Sequence, residues 1–135
     1  MRILALDVGR KKIGMAVGDT EHHFAFTRPA LLVDSWDEAW AELDRVLTDE
    51  RIEQIVIWWP MNTDGMVGPQ AEEVANFQQQ LAARTSLPID RRDERWTSTA
   101  VQREQQQAGR TLARGEEDSL AAQLLLESYI NERSL

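Results

Sequence analysis

Cysteine is absent from all 135 residues, which excludes disulfides, thiolate-held zinc, iron–sulfur clusters and cysteine nucleophiles together. Any metal would have to be held by oxygen ligands or by His22 and His23, the two histidines of the chain. No apolar run approaches the ~20 residues that a membrane helix requires. The opening Met1-Arg2-Ile3-Leu4-Ala5-Leu6-Asp7 interrupts its apolar stretch with an aspartate, so the zones of a secretory signal are missing. A cytoplasmic protein without membrane association is expected. The 42% hydrophobic and 28% charged composition is that of a globular protein, and residues 1–135 are expected to form one domain. Positive charge is also scarce: 15 Lys and Arg stand against 23 Asp and Glu, a net charge of -8. Taken alone, that balance argues against a nucleic-acid partner, because phosphate binding runs on Lys and Arg.

The distribution of charge alters this conclusion. Residues 34–53 carry eight acids against Arg45 and Arg51, whereas residues 84–114 carry seven arginines against Asp90, Asp93, Glu94 and Glu104. The first twelve residues set Arg2, Arg10, Lys11 and Lys12 against Asp7. One acidic helix and two basic stretches can therefore give a polarised surface despite the net charge.

Ile3–Val8 reads as a buried strand closed by a glycine turn. A second strand, 13–19, places Ile13, Met15 and Val17 on one face and Gly14, Ala16 and Gly18 on the other, so something must pack closely against its bare side. His23–Val33 continues as a third strand past Pro29. Ser35 and Glu38 have capping-box spacing, and the apolar positions Trp36, Ala39, Trp40, Leu43, Val46 and Leu47 follow helical periodicity, with both tryptophans expected in the core. Ile55–Trp59 is a continuous apolar run, as in a central strand covered on both faces. A helix over 69–84, an edge strand at 88–92, a short helix from Thr97 to Gly109, a loop at 109–116 and a helix over 117–131 complete the chain. The expected architecture is α/β: a mixed five-stranded sheet, three antiparallel strands followed by parallel ones, with helices on both faces. That is the element order of the ribonuclease H fold, which by itself assigns no function.

Asp7 ends an apolar strand, where an uncompensated carboxylate costs several kcal/mol. A turn role, accepting from the Gly9 and Arg10 amides, is the alternative. Asp118 shares a helical stripe with Ala121, Ala122 and Leu125, and Glu94 follows Asp93 at the end of the edge strand. Converging carboxylates repel one another, and a divalent, oxygen-preferring cation relieves that repulsion.

Asp7-Val8-Gly9-Arg10-Lys11-Lys12-Ile13-Gly14, Pro60-Met61-Asn62-Thr63-Asp64-Gly65, Asp93-Glu94-Arg95-Trp96-Thr97-Ser98 and Asp118-Ser119-Leu120-Ala121-Ala122 together resemble the YqgF/RuvX family. Its members are bacterial proteins described as pre-16S ribosomal RNA nucleases or as Holliday-junction-resolvase-like. The resemblance spans essentially the whole chain. It implies a metal-dependent nuclease, with Asp7, Glu94 and Asp118 as catalytic acids and ligands of Mg2+ or Mn2+. Three departures from the family pattern stand out: Trp58 where glycine is usual, Lys12 where arginine is usual, and Glu116-Glu117 before Asp118 where a basic residue is common.

On this reading Arg10, Lys11 and Lys12 hold phosphates near Asp7, Arg91, Arg92, Arg95, Arg110 and Arg114 line the approach, and the loop at Gly65 offers backbone amides. The partner is nucleic acid, either pre-rRNA or branched DNA, and the protein a monomer or weak homodimer. A non-catalytic RNA-binding maturation factor is the competing class. An actin-like phosphotransferase, suggested only by the first motif, would need a second such domain. His22 and His23 are read as surface residues of a hairpin turn.

Overall fold

The computed structural model describes residues 1–9, 11–59, 69–93 and 119–133. Strands β1 (Arg2–Val8), β2 (Lys12–Asp19) and β3 (Phe24–Leu32) lead into helix α1 (Trp36–Asp49), strand β4 (Gln54–Trp59), helix α2 (Pro69–Arg84), strand β5 (Ile89–Asp93) and helix α3 (Leu120–Arg133). The sheet order is β3-β2-β1-β4-β5. β2 runs antiparallel to both β1 and β3, and β4 runs parallel to β1 and β5. The expected mixed five-stranded sheet is formed, with the polar strand at its edge. The helix expected from Thr97 and the loop at 109–116 lie outside the described residues.

Alternation along the strands divides the core in two. Leu4, Leu6, Val8, Ile13, Met15, Val17, Ile55 and Ile57 meet Ala39, Trp40, Leu43 and Val46 of α1 and Val74, Phe77 and Leu81 of α2. Ile3, Ala5, Ala16, Val56 and Trp58 meet Ala122, Leu125, Leu126, Tyr129 and Ile130 of α3 on the opposite face. The bare side of β2 is what admits α3. A Cβ built on Gly18 would lie 2.8 Å from Ile130 Cδ1, 2.9 Å from Leu126 Cδ2 and 2.6 Å from the Phe24 carbonyl oxygen.

Two local expectations are modified. Ser35 takes the N-cap position with extended backbone, φ -137° and ψ 129°, and its carbonyl accepts from the Ala39 amide at 3.0 Å, but its side chain makes no capping bond. The capping box is thus not formed; Asp37 and Glu38 stand instead in the first turn, where the helix dipole favours negative charge. Trp40 is buried as expected, whereas Trp36 remains 46% exposed, because α1 turns that first position to the rim of the sheet.

Gly18→Ala is expected to lower stability by about 1–3 kcal/mol, since the carbonyl of Phe24 cannot retreat as a flexible side chain could. Urea unfolding at neutral pH measures it; an unchanged midpoint would show that β3 and α3 both yield around the added methyl.

Candidate active site

Asp7 is half-buried near the C-terminal end of β1, on the face that Ile3 and Ala5 present to α3. It pairs across the sheet with Gly14, so no side chain from β2 crowds it there. Leu6 pairs with Ile57, which sets Trp58 on the next rung beside Asp7. Trp58 is only 6% exposed and packs into the α3 cluster. The bulk that departs from the family pattern is therefore absorbed by the core. The Gly9 amide donates to the Lys12 carbonyl at 2.9 Å, which closes the β1–β2 turn. Lys11 and Lys12 are exposed on that turn, one short step from the carboxylate.

The start of α3 is tied to the same place. Pairing of β2 with β3 shifts between Ile13 and Met15, matched to Leu31 and Arg28, so β3 spends an extra residue beside Pro29, whose missing amide suits an edge irregularity. Here the Met15 amide donates to Ser119 Oγ at 2.9 Å, a bond between fully buried groups 104 residues apart in sequence. Ser119 is the residue after Asp118, and Ala122 and Leu125 of the predicted stripe face the sheet.

β5 sorts its side chains to the two faces. Ile89 packs toward the α1–α2 core, and Arg91 donates to Gln78 Oε1 of α2 at 2.5 Å with its guanidinium 4.2 Å from the Trp59 ring. Asp90 and Arg92 face α3. Asp90 accepts from the Tyr129 hydroxyl at 3.1 Å, while Arg92 lies 5.0 Å over the Tyr129 ring and pairs with Glu132 at 2.9 Å. The two arginines assigned to one approach thus lie on opposite faces of the sheet. Tyr129 carries no functional expectation from sequence, yet its buried hydroxyl also accepts from Gln54 Nε2 at 2.5 Å, joining α3 to β4 and β5. A tyrosine on an apolar stripe is the signal, because its hydroxyl must find partners when buried. Arg10, Gly65, Glu94, Arg95, Arg110, Arg114 and Asp118 lie outside the described residues.

A second group of potential ligands emerges only in three dimensions. Asp19, Glu21 and His22 bring ligand atoms within 4.8 Å of one another. His22 and His23 are exposed, as expected. Asp19 pairs with Arg2 at the start of β1, five residues from Asp7, or roughly 17 Å along a strand, so the group belongs to the other end of the sheet. Its carboxylate accepts from the Glu21 amide at 2.8 Å and lies 3.6 Å from the N-terminal ammonium. Burial pushes the Asp19 carboxyl up, but the Glu21 amide and the N-terminal charge, helped by His22, outweigh burial and hold it below its ordinary value.

Residues 1–132 match the family model described as "RuvX: Holliday junction resolvase". The chain belongs to the RuvX family. A protein of Maridesulfovibrio salexigens named "Putative pre-16S rRNA nuclease" is 33% identical over 132 residues, 96% of this chain and 98% of that one. One of the same name from Oenococcus oeni is 35% identical over 141 residues, covering 98% and 96%. Among solved structures, T. thermophilus RuvC in complex with Holliday junction substrate aligns with a TM-score of 0.68 at 11% identity, over 99% of this chain and 96% of that one. Fowlpox virus resolvase in complex with Holliday junction DNA gives 0.53 at 14% identity, covering 98% and 99%. These likenesses show the ribonuclease H-like fold, which this RuvX-family chain shares.

Ser119→Ala is expected to lower stability by about 1–3 kcal/mol, because the Met15 amide loses its buried acceptor; chemical denaturation reads the change. For Asp19, the folded carboxyl lies below its unfolded value, so its stabilisation is complete above roughly pH 4 and lost as pH falls through the folded value. Asp19→Asn should therefore melt lower than the parent at pH 7, with the gap narrowing toward pH 3. A gap that widens in acid would reverse the assigned sign.

Proposed function

We propose that this chain is a metal-dependent nuclease that hydrolyses phosphodiester bonds in structured nucleic acid, in the processing of the 5′ end of pre-16S ribosomal RNA. The observation that carries this reading is the half-buried carboxylate of Asp7 at the edge of the sheet where the Met15–Ser119 bond fastens the start of α3. Relatives that are 33–35% identical over nearly the whole chain and bear the pre-16S rRNA nuclease name support the substrate class. Membership of a family described as Holliday junction resolvases favours branched DNA as the second substrate to test.

Asp7, Glu94 and Asp118 act together in this proposal. β1, β4 and β5 are parallel, so the strand ends that precede Glu94 and carry Asp7 lie along one edge. Asp90 and Arg92 face α3, and Glu94 is taken over Asp93 as the acid that acts with Asp7. The donor set fits a hard divalent cation: three carboxylates, no thiolate anywhere in the chain, and a half-buried position for Asp7. Mg2+ or Mn2+ held by these residues would supply activation of water and neutralisation of charge on the departing oxygen. Asp7 would be one of the residues that hold the ion, and Lys11 and Lys12 would hold the flanking phosphates, with Arg10 between them and Asp7 in sequence.

Arg92 braces the acid-bearing strand through Tyr129 and Glu132, while Arg91, Arg95, Arg110, Arg114 and the loop at Gly65 contact the outlying backbone. The protein works as one domain over residues 1–135, as a monomer or weak homodimer in the cytoplasm. Among the described residues no helix is long and apolar enough to cross a membrane.

Asp7→Asn should abolish manganese-dependent cleavage of a pre-16S 5′-end transcript while leaving the melting temperature unchanged or raised, because it removes repulsion from the acid cluster. Glu94→Gln should cut turnover by orders of magnitude with folding intact, and Asp93→Asn should cost mainly stability. Cleavage of the transcript and of a four-way DNA junction, assayed beside melting curves, separates these outcomes. Normal turnover in Asp7→Asn would make Asp7 a turn residue and remove it from the site; absence of cleavage of both substrates by the parent protein would remove the nuclease reading.

A further inference from the structure

A cleft of about 300 Å³ opens at the same sheet edge as Asp7 but on the opposite face, where α1 and α2 meet. Val8 and Gly9, the two residues after Asp7, form part of its wall, and consecutive Cα atoms are about 3.8 Å apart, so cleft and carboxylate are separated only by the thickness of the edge. Trp36, Trp40 and Phe77 make it aromatic, and Glu73, Asn76 and Gln80 line it from one stripe of α2 at spacings of three and four. Trp40 and Phe77 are stacked, ring centroids 5.1 Å apart and 11° between planes. Trp36 touches both at tilts of 32° and 42° and keeps 46% of its surface exposed. The pair beneath is core; the tryptophan above it presents an indole to solvent.

We propose that this cleft receives one unpaired nucleobase of the strand whose phosphate lies at Asp7. The position of that strand rests on the nuclease reading above, whereas the class of ligand follows from the cleft itself. Its volume is at the small end of ligand pockets, which suits a single planar ring system. An indole face stacks on any base. The side-chain amides of Asn76 and Gln80 each offer donors and an acceptor, the mixture that a base edge presents. The charged backbone stays outside with the exposed Lys11 and Lys12 while the neutral ring goes in. A base drawn over the edge in this way would hold the adjoining phosphate in register with Asp7, using stacking that does not depend on the chain's unfavourable net charge.

The test uses the full chain, labelled with nitrogen-15, and two probes in the presence of EDTA so that no cleavage occurs: adenosine, which has no phosphate, and a short single-stranded RNA. Binding of the RNA is expected to move the indole resonance of Trp36 and the side-chain amides of Asn76 and Gln80 while leaving the indole of Trp58 in place, and adenosine at millimolar concentration is expected to move the same three. Trp36→Ala should weaken RNA binding roughly 5- to 150-fold, with no loss toward an RNA of the same length built from abasic nucleotides. Gln80→Ala and Asn76→Ala, at exposed positions, carry the same comparison should the tryptophan variant fold poorly. RNA that shifts Lys11 and Lys12 but not the cleft, or an equal loss on normal and abasic RNA, overturns the base pocket and leaves the nuclease reading standing. Adenosine that shifts the cleft while RNA leaves Lys11 and Lys12 unmoved upholds the pocket and overturns the strand path that the nuclease reading supplies.

Discussion

Helix α3 can reach the sheet only because β2 offers it glycine and alanine, and the rest of the molecule depends on that close approach. At Gly18 the space between β2 and α3 is already smaller than a methyl group requires, because the side-chain ends of Leu126 and Ile130 rest directly on the strand backbone. Along its length Tyr129 fixes its rotation, with the hydroxyl bridging Gln54 and Asp90, two hydrogen bonds that each contribute of the order of 1 kcal/mol net and would cost more if left unmade. At its start Ser119 takes the Met15 amide. Three contacts of different kinds thus bring the beginning of α3 to the strand pair that carries Asp7.

The electrostatics follow from which end of the sheet each charge occupies. Glu50, at the close of α1, binds Arg2 at 2.6 Å and also pairs with Arg28. Arg2 is therefore not part of the basic surface that the first twelve residues suggest; it belongs to the far end of β1, against an acid from the segment 34–53. Among the described residues, Lys11 and Lys12 remain on the turn that follows Asp7. The N-terminal ammonium and Asp19 likewise face each other at the far end. Attraction between α1 and the first strand removes positive charge from one edge and leaves it at the other, so a chain of net charge -8 can still present cations where a phosphate would sit.

One edge also carries two chemically different surfaces. Alternation sends Asp7 to the α3 face and Val8 to the α1–α2 face, so adjacent residues of a single strand present a carboxylate on one face and a wall of the aromatic cleft on the other. The same alternation parts Arg91 from Arg92. Stacking on one side and charge on the other would be independent sources of affinity, the first insensitive to salt and the second screened by it.

Much of this was legible before any coordinates. Period-two and helical patterns mark the strands and helices because burial acts residue by residue along the chain, and the bare side of β2 announced a close neighbour without naming it. Asp7 was visible as a carboxylate ending an apolar strand, and the family resemblance named its partners. What tertiary structure decided was every relation between residues distant in sequence: that α3 is the neighbour of Gly18, that Ser119 serves Met15, that Tyr129 needs Gln54 and Asp90, that Trp36 stays exposed while Trp40 does not. Ser35 shows the boundary clearly, since its spacing to Glu38 permits a capping box and the folded helix start does not form one. Local pattern determines which face of an element is apolar; only packing determines what that face meets, because the free energy of a contact depends on both partners and the sequence specifies them one at a time.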